Sequence, residues 1–168
     1  LGVCGGTSTI SSLNDGCDLP ESVTTAYFAL KDDGTVYFRS PQVIGGFEFI
    51  LDDVSDDMNI SMSGGLAGAE GAYDNLNCIH NPNGAFCMGF NFMGTPVTAD
   101  CGVLINVSAG ICSGADTDAD GTVDTTQPVD EASCLDPAGD GTGTAGTWTS
   151  SSFTTLSRII VSDPLSSE

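Results

Sequence analysis

The segment from Asp116 to Gln127, DTDADGTVDTTQ, places acidic residues at the spacing of a calcium-binding loop. In the pattern D-x-[DN]-x-[DN]-G, oxygen donors converge on one Ca²⁺, the glycine permits a sharp turn, and a backbone carbonyl supplies a further ligand. The sequence therefore predicts one calcium ion as a structural cofactor. Its predicted ligands are the carboxylates of Asp116, Asp118, Asp120 and Asp124 and the carbonyl oxygen of Thr122.

This loop differs from an EF-hand in two respects. Its twelfth position is Gln127, where an EF-hand has a bidentate glutamate, and the flanking segments ICSGA and PVDEASC do not form the two helices of that motif. The metal is therefore expected to stiffen a loop and not to drive a switch. The alternative is a solvated acidic turn, because Asp and Gly are common turn residues.

The charge balance limits the partners. The chain has 168 residues with 3 basic and 23 acidic side chains, a formal net charge of -20. Nucleic acids and anionic membranes are excluded because phosphate groups are bound by cations. Hydrophobic residues make up 40% of the chain, enough for the core of one domain. Since calcium and salt relieve self-repulsion, an extracellular or cell-surface location is expected.

Seven cysteines also indicate an oxidising compartment. The sequence lacks C-x-x-C and has one histidine, so zinc is not expected. The odd count leaves Cys101 as a thiol that is buried, reactive or bonded to another chain. Short spacings predict disulfides that join Cys4 with Cys17, Cys78 with Cys87, and Cys112 with Cys134.

Two N-x-[ST] sequons begin at Asn59 and Asn106. In both segments apolar residues alternate with polar ones, so each asparagine should lie on the face of a strand opposite the apolar side chains. In the second segment Val103, Ile105 and Val107 form that apolar face. A eukaryotic secretory pathway would attach glycans at both sites, whereas in a typical bacterium the sequons would be incidental.

Most of the chain has the pattern of short strands separated by Gly, Asp and Asn turns. The sequence therefore predicts an all-β fold, a jelly-roll or Ig-like antiparallel β-sandwich with a calcium-loop insertion. No run is long and apolar enough for a transmembrane helix, and the sequence pattern predicts no signal peptide. The chain starts at Leu1 and not at Met, so we expect a processed product or one unit of a longer polypeptide. The predicted strands are Val23–Leu30, Thr35–Arg39, Val43–Leu51, Met58–Met62, Ala85–Met93, Gly102–Ser108 and Ser151–Ser162.

The strongest core pattern is in Ala85–Met93, where Phe86, Met88, Phe90 and Phe92 share one face. The Gly-rich segment GGLAGAEGAY is expected to be a loop or a single turn.

The order of several segments is similar to that in cohesin-like modules. The segments are IGGFEFILDDVS, SGGLAGAEGAY, FCMGFNFMGTPV, CGVLINVSAG and RIIVSDPLSSE. The resemblance covers about Val23 to Ser162 and implies a flattened jelly roll, similar in shape to carbohydrate-binding modules, that mediates extracellular protein assembly. The cysteines, an insertion at 112–134 and a leader at 1–22 depart from the family, which leaves binding to a dockerin open. The expected organisation is thus a leader, 1–22, followed by a sandwich, 23–168.

No enzyme activity is expected. His80 lies in NCIHNPNG, which has a turn-like composition, and no G-x-S-x-G elbow is present. The carboxylate pairs Asp52/Asp53 and Asp56/Asp57 suggest a glycosidase only superficially, because clustered aspartates between strands are usually solvated.

Two functions follow. The first is an extracellular structural module that assembles with itself or with other extracellular proteins as a filament, surface layer or matrix, stabilised by disulfides, calcium and glycans. A leader donated to a neighbouring copy would extend an exposed sheet edge, whereas the alternative is a leader that folds back on its own sandwich as an edge strand. The alternative is a carbohydrate-binding module in which Trp148 and Tyr73 stack on sugar rings.

Overall fold

The computed structural model describes residues 13–52, 54–69, 73–82, 84–91, 96–113, 134–135, 145–153 and 155–162. Their strands form two antiparallel sheets, which confirms the predicted all-β sandwich. None of the described helices is long and apolar enough to span a membrane. The strands are β1 (Tyr27–Leu30), β2 (Thr35–Arg39), β3 (Gly46–Leu51), β4 (Asn59–Ser63), β5 (Asn75–Asn81), β6 (Gly84–Phe90), β7 (Cys101–Ser113), β8 (Thr147–Ser150) and β9 (Leu156–Ser162).

Sheet I has the strand order β1-β2-β7-β4, and β8 pairs with the last residues of β7. The hairpin between β1 and β2 turns at Asp33-Gly34, as predicted, and Gly34 has φ of 86°, which favours glycine. Strand β7 contains 13 residues and pairs with three other strands, so it is the central element of this sheet.

Sheet II has the strand order β5-β6-β3-β9, and each neighbouring pair is antiparallel. Strands β5 and β9 are therefore its two edges among the described residues. Sequence patterns did not identify β5, because asparagines occupy alternate positions of NLNCIHN and resemble a turn. Strand β8 was missed for a similar reason, since it lies in a Gly- and Thr-rich segment.

The core lies between the two sheets and is built mainly from aromatic and branched side chains. Fully burying one such side chain stabilises the fold by about 1.5–3 kcal/mol. The polar turn between β3 and β4 is closed by Val54, which is also buried. The core includes Val36, Phe38, Ile105 and Val107 from sheet I and Phe47, Phe49 and Leu51 from sheet II.

Strand β6 is oriented opposite to the prediction. Its small residues face the core, with Cys87 opposite Phe49, while Phe86 and Met88 lie on the outer face. The reason is space: a Cβ added to Gly89 would lie 2.4 Å from Cζ of Phe47, so β3 already fills this layer. Period-2 alternation separates two faces of a strand but does not say which face is buried. Phe90 also faces outward, and Phe92 lies outside the described residues.

A one-residue irregularity in β7 corrects a second expectation. Tyr37 pairs with Val103 and Val36 pairs with Ile105, so Leu104 is the extra residue of a bulge. Val103 therefore packs on the outer face, while Leu104 and Ile105 both enter the core. The predicted common face of Val103, Ile105 and Val107 is correct only after the bulge.

Candidate functional site

The predicted calcium ligands Asp116, Asp118, Asp120, Thr122 and Asp124 lie outside the described residues. Within the part of the chain that the structure describes, no group of three or more His, Cys, Asp or Glu side chains is arranged to hold a metal ion. The calcium site therefore stays a prediction from the sequence.

Two disulfides join the cysteines that the sequence paired. Cys78 and Cys87 are direct neighbours on β5 and β6, and this bond packs against the core. Cys112 on β7 is bonded to Cys134, which attaches the far end of the insertion to the outer face of sheet I.

The predicted bond between Cys4 and Cys17 is wrong for Cys17. Cys17 is bonded to Cys101, 84 residues away, and Cys4 lies outside the described residues. Cys101 is therefore not the unpaired thiol. Short spacing is a poor guide here because the segment around Cys17 crosses over the start of β7, so its nearest partner in space is distant in sequence.

Residues 13–22, which we call the N-terminal strap, pack on the outer face of sheet I of the same chain. Nη1 of Arg39 donates hydrogen bonds to the carbonyl oxygens of Cys17 (2.7 Å) and Leu19 (3.0 Å). Leu19 is buried against Ala29 and Tyr37. A Cβ at Gly16 would lie 2.2 Å from the carbonyl oxygen of Gly102, so only glycine fits this approach. Part of the expected leader thus belongs to the sandwich.

Trp148 lies on the outer face of sheet I, at the end opposite to the N-terminal strap. It lies on β8 beside Cys112, contacts the disulfide to Cys134, and stacks over Gly110, where a Cβ would lie 2.5 Å from its ring. Its Nε1 is buried without a hydrogen-bond acceptor among the described residues. These contacts make the indole part of a small apolar cluster.

Tyr73 is not available as a sugar-stacking platform. Its side chain is 8% exposed, stacks against Phe47, and donates a hydrogen bond of 2.6 Å to the carbonyl oxygen of Ile44. Burial raises the pKa of the Tyr73 hydroxyl to about 12. The sequence pattern could not distinguish this role because the Gly-rich segment before Tyr73 carries no strand signal.

Both sequons lie on the outer face of sheet I. Asn106 is exposed near the middle of β7, and Asn59 is half-buried on the edge strand β4. Asn106 pairs with Ser63, and Ser61 pairs with Ser108, so these four residues form a polar, uncharged part of the face. The two asparagines point away from the core, as the alternation predicts.

The residues considered for catalysis are dispersed. Nε2 of His80 lies 2.8 Å from the carbonyl oxygen of Met58, and the ring is exposed at the end of β5. The hydroxyl of Ser157 donates to Asp52 across sheet II. Asp56 and Asp57 are exposed, and Asp53 lies outside the described residues. Asp56 and Asp57 therefore lie in a surface turn that precedes strand β4.

The outer face of sheet II was not anticipated from sequence. Ile79 is 53% exposed and Ile160 is 45% exposed, although both belong to strands. Beside Ile160, Gly46 has no side chain and leaves a shallow depression of about 200 Å³. Phe90, Met88 and Ile160 form apolar walls, while Glu48 and Ser162 supply polar atoms.

The chain was compared with protein-family models, with curated proteins and with solved structures, and none of these comparisons found a match.

Proposed function

We propose that the protein is an extracellular structural module, the subunit of a secreted filament, surface layer or matrix. The observation that carries this proposal is that three disulfides brace the sandwich, each at a different place. Disulfides persist in oxidising environments, so they support a location outside the cytosol. The similarity of the segment order to cohesin-like modules supports an assembly role.

Each disulfide attaches either a segment that packs on sheet I or an edge strand of sheet II. Cys17–Cys101 fixes the N-terminal strap, Cys112–Cys134 fixes the end of the insertion, and Cys78–Cys87 fixes the edge strand β5 to β6. A module braced in this way resists local opening of its edges. Such resistance suits a subunit that bears load or remains exposed outside the cell.

Calcium and glycans complete the proposed function. Calcium bound at 116–124 would neutralise some of the net charge of -20 and allow acidic copies to approach each other. Glycans at Asn59 and Asn106 would cover the polar part of the outer face of sheet I. Sheet II would then be the surface left for contacts with other subunits.

Imaging of native material by negative stain tests the proposal directly. We expect ordered assemblies that persist in calcium and dissociate when a chelator removes the metal. Sedimentation velocity of the purified chain gives the same information in solution. Protein that stays monomeric with calcium and at high ionic strength would contradict an assembly role.

One observation favours a second function, carbohydrate binding. The depression over Gly46 combines the ring of Phe90 with polar atoms of Glu48 and Ser162, a combination that suits one sugar ring. Retention on insoluble polysaccharide that is lost in Phe90→Ala and kept in Val23→Ala would support it. Val23 is the control because it is 90% exposed and lies outside sheet II.

A further inference from the structure

Sheet II ends on both sides in strands that pair with only one neighbour among the described residues. Strand β5 pairs with β6, and β9 pairs with β3. An edge strand presents a row of main-chain donors and acceptors to any strand that approaches it. We propose that β9 of one copy pairs with β5 of the next, so that sheet II continues from subunit to subunit. This proposal rests on the proposed assembly function and identifies its contact.

The topology makes these two edges complementary. Three antiparallel pairings separate β5 from β9, so the two edges of sheet II run in opposite directions. A second copy placed beside the first by translation, in the same orientation, therefore sets β9 antiparallel to β5. This matches the pairing throughout the sheet, and antiparallel pairs are slightly more stable than parallel ones.

The two edges also match in length and in their exposed side chains. Each strand contains 7 residues. Ile79 on β5 and Ile160 on β9 both lie on the outer face, since Ile79 shares a row with Phe86 and Ile160 pairs with Glu48. Placing Ile160 opposite Ile79 of the next copy buries both. That register also sets Val161 opposite Cys78, on the face that packs in the core.

The charges favour this contact. Strand β5, NLNCIHN, has no acidic, lysine or arginine side chain of the kind that usually protects an edge from pairing. Strand β9 carries Arg158, which is exposed and has no ion pair among the described residues, whereas Lys31 and Arg39 each have one. Each junction thus brings the cation of Arg158 to a chain of net charge -20.

The position of Arg158 limits the length of the contact. Its φ of 49° marks a bulge where β9 shifts register against β3. A bulge twists an edge away from a flat partner. The pairing therefore involves Ile159–Ser162, the regular part of β9, and the middle of β5.

The contact is heterologous, because different edges meet, and it need not close into a ring. Four strands per copy, at about 4.8 Å between strands, predict a subunit repeat of about 19 Å along the fibre. The main path of sheet I also has four strands. Fibre diffraction or cryo-electron microscopy should show strands that run across the axis, and strands parallel to the axis would overturn the proposal.

Two single variants test the junction. Ile160→Asp should prevent pairing only at the β9 edge, and Ile79→Asp should prevent it only at the β5 edge. Both residues are exposed enough for the fold to tolerate the change. Each variant alone should be monomeric where the wild type polymerises, with affinity reduced at least about tenfold. Val23→Asp adds the same charge at a site 90% exposed outside sheet II and should polymerise normally.

Mixing the variants is the decisive experiment. The Ile160→Asp copy keeps an intact β5 and the Ile79→Asp copy keeps an intact β9, so an equimolar mixture should form dimers and nothing longer in sedimentation velocity. A mixture that stays monomeric, or a single variant that still polymerises, would overturn the edge junction while leaving assembly itself standing. Wild-type protein that is monomeric in calcium would overturn the assembly function and this junction together.

Discussion

Cys101 and Cys112 lie at opposite ends of β7 and both face away from the core, although 11 positions separate them. In a regular strand an odd separation places two side chains on opposite faces. The bulge at Leu104 supplies the extra residue that returns them to one face. Both disulfides can therefore hold covering segments on the same side of sheet I.

The three disulfides should stabilise the fold in the order of the loops that they close. Their separations of 84, 22 and 9 residues correspond to about 4.6, 3.4 and 2.6 kcal/mol in the chain-entropy treatment. Paired Cys→Ser variants, unfolded in denaturant, should lose stability in that order. Peptide mapping without reduction should recover Cys17 linked to Cys101, and a Cys4–Cys17 peptide would contradict the pairing.

The orientation of β6 predicts that replacing two phenylalanines by alanine will reduce the free energy of unfolding by different amounts. Phe49 is 1% exposed in the core, so Phe49→Ala should reduce the free energy of unfolding by about 3–5 kcal/mol. Phe86 lies on the outer face, so Phe86→Ala should reduce the free energy of unfolding by less than half as much. Chemical denaturation of the two variants measures both values. Equal losses would mean that β6 faces the other way.

The buried hydroxyl of Tyr73 should make the folded protein less stable at alkaline pH. Because burial raises its pKa from 10 to about 12, the folded state keeps the proton after the unfolded state has released it. Its contribution is complete below pH 10 and falls by about 1.4 kcal/mol per pH unit up to about pH 12. Tyr73→Phe should be less stable at pH 8, because the hydrogen bond to Ile44 is lost. The difference from the wild type should shrink above pH 10, and a constant difference would contradict this account.

Calcium should bind at 116–124 with one ion per chain. Without the metal, four carboxylates in one short loop repel each other, so titration at millimolar calcium should release heat and raise the melting temperature. Asp120→Ala should abolish the heat, while Asp57→Ala, which replaces an exposed aspartate outside the loop, should leave it unchanged. Wild-type protein that shows no heat would refute the site.

Glycans at Asn59 and Asn106 should appear when the chain passes through a eukaryotic secretory pathway. Intact mass should fall by one glycan in each of Asn59→Gln and Asn106→Gln and should reach that of the bare polypeptide in the double variant. Occupancy should be higher at Asn106, which is more exposed than Asn59. The bare mass in the wild type would show that neither sequon is used.

Alternating apolar residues and turn signals were sufficient to predict the all-β class and the β1–β2 hairpin. The bond between Cys78 and Cys87 was also predictable, because a short spacing across one hairpin leaves little choice of partner. These features are local: strand propensity, turn chemistry and nearby pairing are encoded within about ten residues.

Only the tertiary structure decided which face of β6 is buried, where Cys17 finds its partner and whether Tyr73 is exposed. Each depends on groups distant in sequence: Phe47 fills the space beside Gly89, the strap crosses β7 at Gly102, and Ile44 accepts the hydrogen bond of Tyr73. Sequence patterns could not identify the edge strands of sheet II either, because a strand becomes an edge only when all its neighbours are placed. Local patterns determine which segments are strands, while packing between distant segments determines faces, partners and edges.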